Sequence, residues 1–189
     1  MQNDDWLDVT ASLEGDDEAY ARLVSRYERP ITSLLWRFTR DPEQCEELVQ
    51  EVFVEAYFSL GTYRGDAPLL HWLRRIATRT GYRFWRRQAK EPVGTGLPED
   101  FLEQIEATDD EDMDPAEAAA VLQALLARLP SDDRLVLTLL YFEDCGTKEI
   151  AERMGWSRAK VKTQALRARR KIKEIAERER LLEKLGWIR

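Results

Sequence analysis

Histidine and cysteine are nearly missing from this sequence. His71 is its one histidine, and Cys45 and Cys145 are its two cysteines, far apart along the chain. A disulfide scaffold does not fit two such residues, and a Cys/His zinc site would lack ligands. No metal and no cofactor are therefore expected. The cysteines read as small apolar filler, with oxidant sensing as the alternative, in a chain suited to a reducing cytoplasm. Long apolar runs are missing as well. The longest such stretch, Val136 to Phe142, is far too short to cross a bilayer, so no membrane-spanning helix is expected. Met1 to Asp5 has neither a basic start nor an apolar core and does not read as a secretory signal. Catalytic acids are scarce where they would matter. Asp66 is the only acid between residues 61 and 90, which leaves a nucleic-acid enzyme without metal-binding carboxylates beside its cations. The chain is expected not to be an enzyme.

What is there is charge, arranged in blocks. The chain has 189 residues, room for one large domain or two small ones, and a net charge of -7. Residues 1–60 hold 5 Lys/Arg against 14 Asp/Glu, and residues 61–90 hold 8 against 1. Residues 91–133 hold 1 against 13, and residues 134–189 hold 15 against 8. Each basic block alone could be an ordinary solvated face. Two of them, separated by an acidic stretch, favour nucleic acid as the partner, because the local field matters more than the total.

Nearly all the patterning is helical. Tyr20, Leu23, Val24, Tyr27, Ile31, Leu34, Leu35 and Phe38 recur at helical spacing, with Asp16 or Asp17 as cap. Pro30 should kink this helix. Asp41 caps a second helix with Pro42 in its first position, and its apolar stripe is Leu48, Val52, Ala56 and Leu60. Gly61 to Pro68 is a loop. A third helix carries Leu69, Trp72, Leu73, Ile76 and Thr80 on one side and arginines elsewhere. From Glu91 to Glu117 there is no Lys or Arg, and prolines and glycines recur. This reads as a flexible acidic linker, with one helical turn near Phe101 to Ile105. Beyond it, helices are expected over about 116–129, 132–143 (capped by Ser131 or Asp132), 147–154 and from 157 onward.

Within Thr147–Val161, small Ala151 lets two helices cross closely. Gly155 supplies a positive φ for the turn. Ile150, Met154 and Val161 fill the angle, and Ser157 caps the second helix. This spacing predicts a DNA-reading helix-turn-helix, with a plain helical hairpin as the bland alternative. On the second helix Val161, Ala165, Ala168 and Ile172 form the buried stripe. Thr163, Leu166, Arg167 and Arg170 point away from it, flanked by Lys160 and Lys162. Arg167 is suited to guanine and Leu166 to a thymine methyl. Ser157, Arg158, Lys160 and Arg170 are suited to phosphates. The first basic block differs, because Tyr82 to Arg87 interleaves aromatics with arginines. Such a surface can stack unpaired bases. The alternative places Trp72, Phe84 and Trp85 in the core, and Trp72 is expected there.

With these motifs in order, the sequence resembles bacterial RNA polymerase sigma factors of the extracytoplasmic-function class. Four segments carry the resemblance: Glu47 to Phe53, Tyr63 to Asp66 with Trp72 to Ala77, Leu129 to Gly155, and Val161-Lys162 with Arg167 to Arg169. It implies an all-α fold of two helical domains joined by the linker. The boundaries are 12–90 for a region-2-like domain, 91–115 for the linker, 116–180 for a region-4-like domain and 181–189 for a tail. It implies a transcription initiation factor bound to core RNA polymerase and to promoter DNA. By resemblance, Glu47, Gln50, Glu51 and Phe53 would meet the clamp helices of the largest polymerase subunit, with Phe53 as core the alternative. Tyr63, Arg64, Gly65, Asp66, Leu69, Leu70 and His71 would form the pocket for a flipped −10 base. Arg75, Arg79 and Arg83 would follow the non-template strand. Lys162, Thr163, Leu166 and Arg167 would read the −35 element. An anti-sigma factor is the implied regulatory partner, and the implied location is the cytoplasm, with tethering at the membrane through that partner.

The chain departs from the family pattern in two places. Arg79 and Arg83 stand where the family often has Asn and Asp, so the melting surface is more basic than usual. Gln164-Ala165-Leu166 replaces a commoner arginine, leucine and histidine or aromatic, so the −35 preference is expected to shift. A dimeric helix-turn-helix regulator independent of polymerase is the rival reading; it would need a palindromic site.

Overall fold

A computed structural model describes residues 2–89 and 122–178. The expected acidic linker, its helical turn and the C-terminal tail lie outside the described residues. Every regular element among the described residues is helical, and they divide into two compact units.

The first unit opens with α1 (Gln2–Leu13), which packs along α2 (Asp17–Leu35). The sequence reading starts its first helix at α2, so α1 is an addition. Asp16 caps α2 by accepting from the Ala19 amide, and the helix runs through Pro30 to Leu35. Phe38 lies beyond its end, yet is buried against Trp85 with ring centroids 4.5 Å apart. Asp41 caps α3 (Pro42–Ser59) by accepting from Glu43 and Gln44, and Pro42 sits where a missing amide costs nothing. A 3-10 turn (Leu60–Thr62) leads through an exposed loop to α4 (Leu69–Gln88). Leu23, Ile31, Leu35, Leu48, Val52, Leu69 and Leu73 are among the core residues where these helices meet. Gly81 lets α4 approach Phe38, because a Cβ there would run into the phenyl ring.

The second unit begins with helical residues 122–127 and continues through α5 (Ser131–Phe142), α6 (Thr147–Met154) and α7 (Arg158–Arg178). Neither Ser131 nor Asp132 caps α5. Pro130 holds the cap position without a side-chain hydrogen bond, and both residues lie inside the helix. Leu126, Leu129, Leu137 and Ala168 form the core, with Phe142, Ile172 and Ile175 packed against it. Asp133 is 1% exposed on α5, and Lys171 on α7 reaches it at 2.6 Å.

Candidate nucleic-acid interface

The turn between α6 and α7 has the geometry its residues demand. Gly155 has φ +67°, a value side-chain-bearing residues rarely adopt. The Trp156 amide donates to the Ala151 carbonyl at 2.9 Å, closing the helix end in a Schellman-like turn. Ser157 caps α7 by accepting from the Lys160 amide at 3.1 Å. Ile150 and Val161 are fully buried in the angle, and Met154 is half-buried.

Along α7 the buried face is Val161, Ala165 and Ala168, with Ile172 half-buried. Lys162, Thr163, Arg167 and Arg170 are exposed, and Leu166 is 70% exposed among them. An apolar side chain left that open beside cations suits a groove that offers both methyls and acceptors. Three expected phosphate ligands already have protein partners. Arg158 donates to Thr147 Oγ1, and Arg170 pairs with Glu174. Lys160 lies 3.6 Å above the Trp156 ring centre and 3.5 Å from Asp132. These partners are surface groups, so the cations remain accessible. Arg169, absent from the expected set, donates to the Tyr141 hydroxyl at 2.8 Å.

In the first unit, the loop from Tyr63 to Pro68 is shaped by Gly65, at φ +76°. The Tyr63 hydroxyl donates to the Ala67 carbonyl at 2.6 Å. Arg64, Gly65, Asp66 and His71 are exposed, whereas Tyr63 and Leu70 are half-buried. Tyr63 lies between Trp6 and Trp72, at centroid distances of 6.3 and 5.8 Å. Arg75 is exposed and Arg79 half-buried on α4. Arg83 donates to Glu55 at 2.6 Å and Glu51 at 3.1 Å. Burial disfavours its charged form, but the two carboxylates outweigh that and raise its pKa.

Three expectations need correction, and for Trp85 the core alternative holds. Leu69 is 1% exposed, because it begins α4 facing inward, and cannot line the pocket. Phe53 is 8% exposed and belongs to the core. Trp72 is only half-buried, since α4 leaves it beside Tyr63 at the loop. Trp85 is buried with its indole N–H donated to the Phe38 carbonyl at 2.7 Å, so it cannot stack on bases. On α3, Glu47 and Gln50 are exposed and Glu51 is half-buried. Nearby Val54, Tyr57 and Phe58, which sequence reasoning passed over, are exposed, Phe58 to 83%.

Comparison with known proteins decides the family. Sigma-70 region 2 matches residues 23–91 and Sigma-70, region 4 matches residues 119–172. The RNA polymerase sigma-H factor of Pseudomonas aeruginosa is 30% identical over 179 residues, covering 90% of this chain and 93% of that protein. The chain belongs to the extracytoplasmic-function sigma factors. Further relatives of this sigma factor include the RNA polymerase sigma factor YlaC of Bacillus subtilis, 30% identical over 86% of this chain and 95% of that protein. The ECF RNA polymerase sigma-E factor of Escherichia coli K12 is 29% identical over 84% of this chain and 87% of that protein. The fold matches CnrH, solved with the cytosolic domain of CnrY (TM-score 0.59, 20% identity, 92% of this chain and 97% of that one). It also matches RpoE of Bartonella quintana, solved with the anti-sigma factor NepR (TM-score 0.56, 16% identity, 84% and 96%). The sigma factor is a transcription initiation factor that directs RNA polymerase to promoters, with a region 2 and a region 4. The rival dimeric regulator is not favoured.

Proposed function

We propose that the −35 element is read by Lys162, Thr163, Leu166 and Arg167, with Ser157, Arg158, Lys160 and Arg170 holding phosphates. The observation that carries this is the exposure of Leu166 and Arg167 on α7, opposite its buried Val161–Ala165–Ala168 stripe. Leu166 lies outside the core at 70% exposed, and an α-helix fits the major groove. The Tyr63–His71 segment, without Leu69, holds an unstacked −10 base. Flipping that base costs a few kcal/mol, which contacts in the pocket must offset. Arg75, Arg79 and Arg83 follow the non-template strand.

Core polymerase docks through Glu47, Gln50 and Glu51 on the clamp helices of its largest subunit. Exposed Val54, Tyr57 and Phe58 continue the same helix and supply the apolar part of that contact. The protein carries no reaction of its own, acts in the cytoplasm and is held in check by an anti-sigma factor. The RpoE neighbour was solved with the anti-sigma factor NepR, and CnrH with the cytosolic domain of CnrY. No described helix is long and apolar enough to cross a membrane, so membrane tethering would come through that partner.

The test is a promoter footprint by the reconstituted holoenzyme. Arg167→Glu should remove protection at −35 and leave polymerase binding intact. Retained −35 protection would refute the assignment of α7.

A further inference from the structure

We propose that α1 is part of the −10 reading apparatus, and that Trp6 is the positioning residue through which it holds the Tyr63–Pro68 loop. This rests on the reading above, that the loop receives the unstacked base.

The loop has little of its own to fix it. Arg64 through Pro68 are all exposed, and one internal hydrogen bond, Tyr63 to Ala67, spans it. A pocket that must grip a base cannot also spend binding energy on ordering itself. Trp6 supplies the missing support. A Cβ on Gly65 would lie 3.1 Å from Cζ3 and 3.2 Å from Cε3 of its indole, so the ring rests directly on the glycine at the bend. The indole also sits 6.3 Å from the Tyr63 ring, whose other neighbour is Trp72 at 5.8 Å. Three aromatics, from α1, the loop and α4, thus form one row along the reading segment.

The row is only as firm as α1, and α1 is bolted down on either side of Trp6. Asp5 accepts from Arg26 at 2.6 Å and from the Tyr27 hydroxyl. Asp8 accepts from Arg26 and Arg22, each at 2.9 Å. Both carboxylates are buried, at 4% and 7% exposure. Trp6 itself stays 46% exposed. A large aromatic held in place yet left half in water serves its exposed neighbour, the loop, more than the core.

The test uses the full chain assembled with bacterial core polymerase. Promoter opening is followed by permanganate reactivity on a promoter the holoenzyme starts from, and on three copies carrying the other bases at the flipped −10 position. Trp6→Ala should cut opening on the parent promoter about fivefold, the loss of roughly one aromatic contact. It should also flatten discrimination among the four bases while core affinity is kept, and Trp6→Phe should restore most of both. Unchanged discrimination in Trp6→Ala overturns the proposal. So does an equal loss on all four templates, which is what general destabilisation would give. Asp66→Ala separates the underlying reading. If it flattens discrimination and Trp6→Ala does not, only the role of Trp6 fails. If neither does, the loop is not the base reader.

Discussion

Arg83 on α4 bridges Glu55 and Glu51 on α3, at 2.6 and 3.1 Å. Arg87 adds a looser contact to Glu51 at 3.5 Å. The pair joins two surfaces with separate proposed roles, polymerase docking for Glu51 and DNA contact for Arg83. In the free protein the carboxylates compete with phosphates for the guanidinium. All three groups are about 40% exposed, so their pairing should matter more to binding than to stability. Arg83→Ala should therefore lower unfolding free energy by less than about 1 kcal/mol. Glu51→Gln with Glu55→Gln should tighten binding of a single-stranded −10 oligonucleotide by the free protein about threefold, the effect of roughly one weak ion pair. Fluorescence anisotropy would show it; unaltered affinity would mean the carboxylates do not mask Arg83.

Gly81→Ala should destabilise the first unit. The added methyl meets the ring of Phe38, which also packs against Trp85 one turn further along α4. Overpacking of this kind costs about 1–3 kcal/mol. Urea unfolding should show a lower midpoint at an unchanged slope.

The second unit depends on Lys171. Asp133 is almost fully buried, and Lys171 is its partner at 2.6 Å. Lys171→Met would leave a buried carboxylate uncompensated and should cost about 3 kcal/mol. Adding Asp133→Asn should recover most of that loss. Equal instability in the single and double variants would show that the ion pair is not what matters there.

Acid should loosen α1. Burial pushes the Asp8 carboxyl up, but Arg22 and Arg26 outweigh this and hold its pKa below the ordinary carboxylate value. A lowered folded pKa means the stabilisation is complete above the unfolded value and is lost as pH falls through the folded one. Thermal stability should therefore drop below about pH 4, and Asp8→Asn should remove that part of the acid limb while lowering stability at pH 7. An acid limb identical in both proteins would contradict it.

The helix-turn-helix was legible because each position had a separate steric reason: small Ala151, positive-φ Gly155 and capping Ser157. The Leu166–Arg167 surface followed from helical spacing alone. By contrast α1 was illegible, because its inward face is Asp5, Asp8, Val9 and Ser12. Two carboxylates on a buried face look like a solvated stripe until Arg22, Arg26 and Tyr27 are seen to meet them across the interface. Trp6, Val9 and Leu13 share a helical spacing that could have marked the segment. Phe53 and Leu69 failed for the opposite reason. Each stands beside charged or loop residues in sequence, and only the direction of its helix turns it inward. Arg83's attachment to Glu51 and Glu55 joins residues some thirty apart, beyond the reach of any local pattern.

The role proposed for α7 is to confer promoter choice on RNA polymerase. The most direct measurement is run-off transcription by sigma-free bacterial core polymerase on genomic fragments from the source organism, with and without the protein. New discrete start sites that disappear with Arg167→Glu are expected. No new starts, together with failure to co-purify with polymerase, would contradict that role.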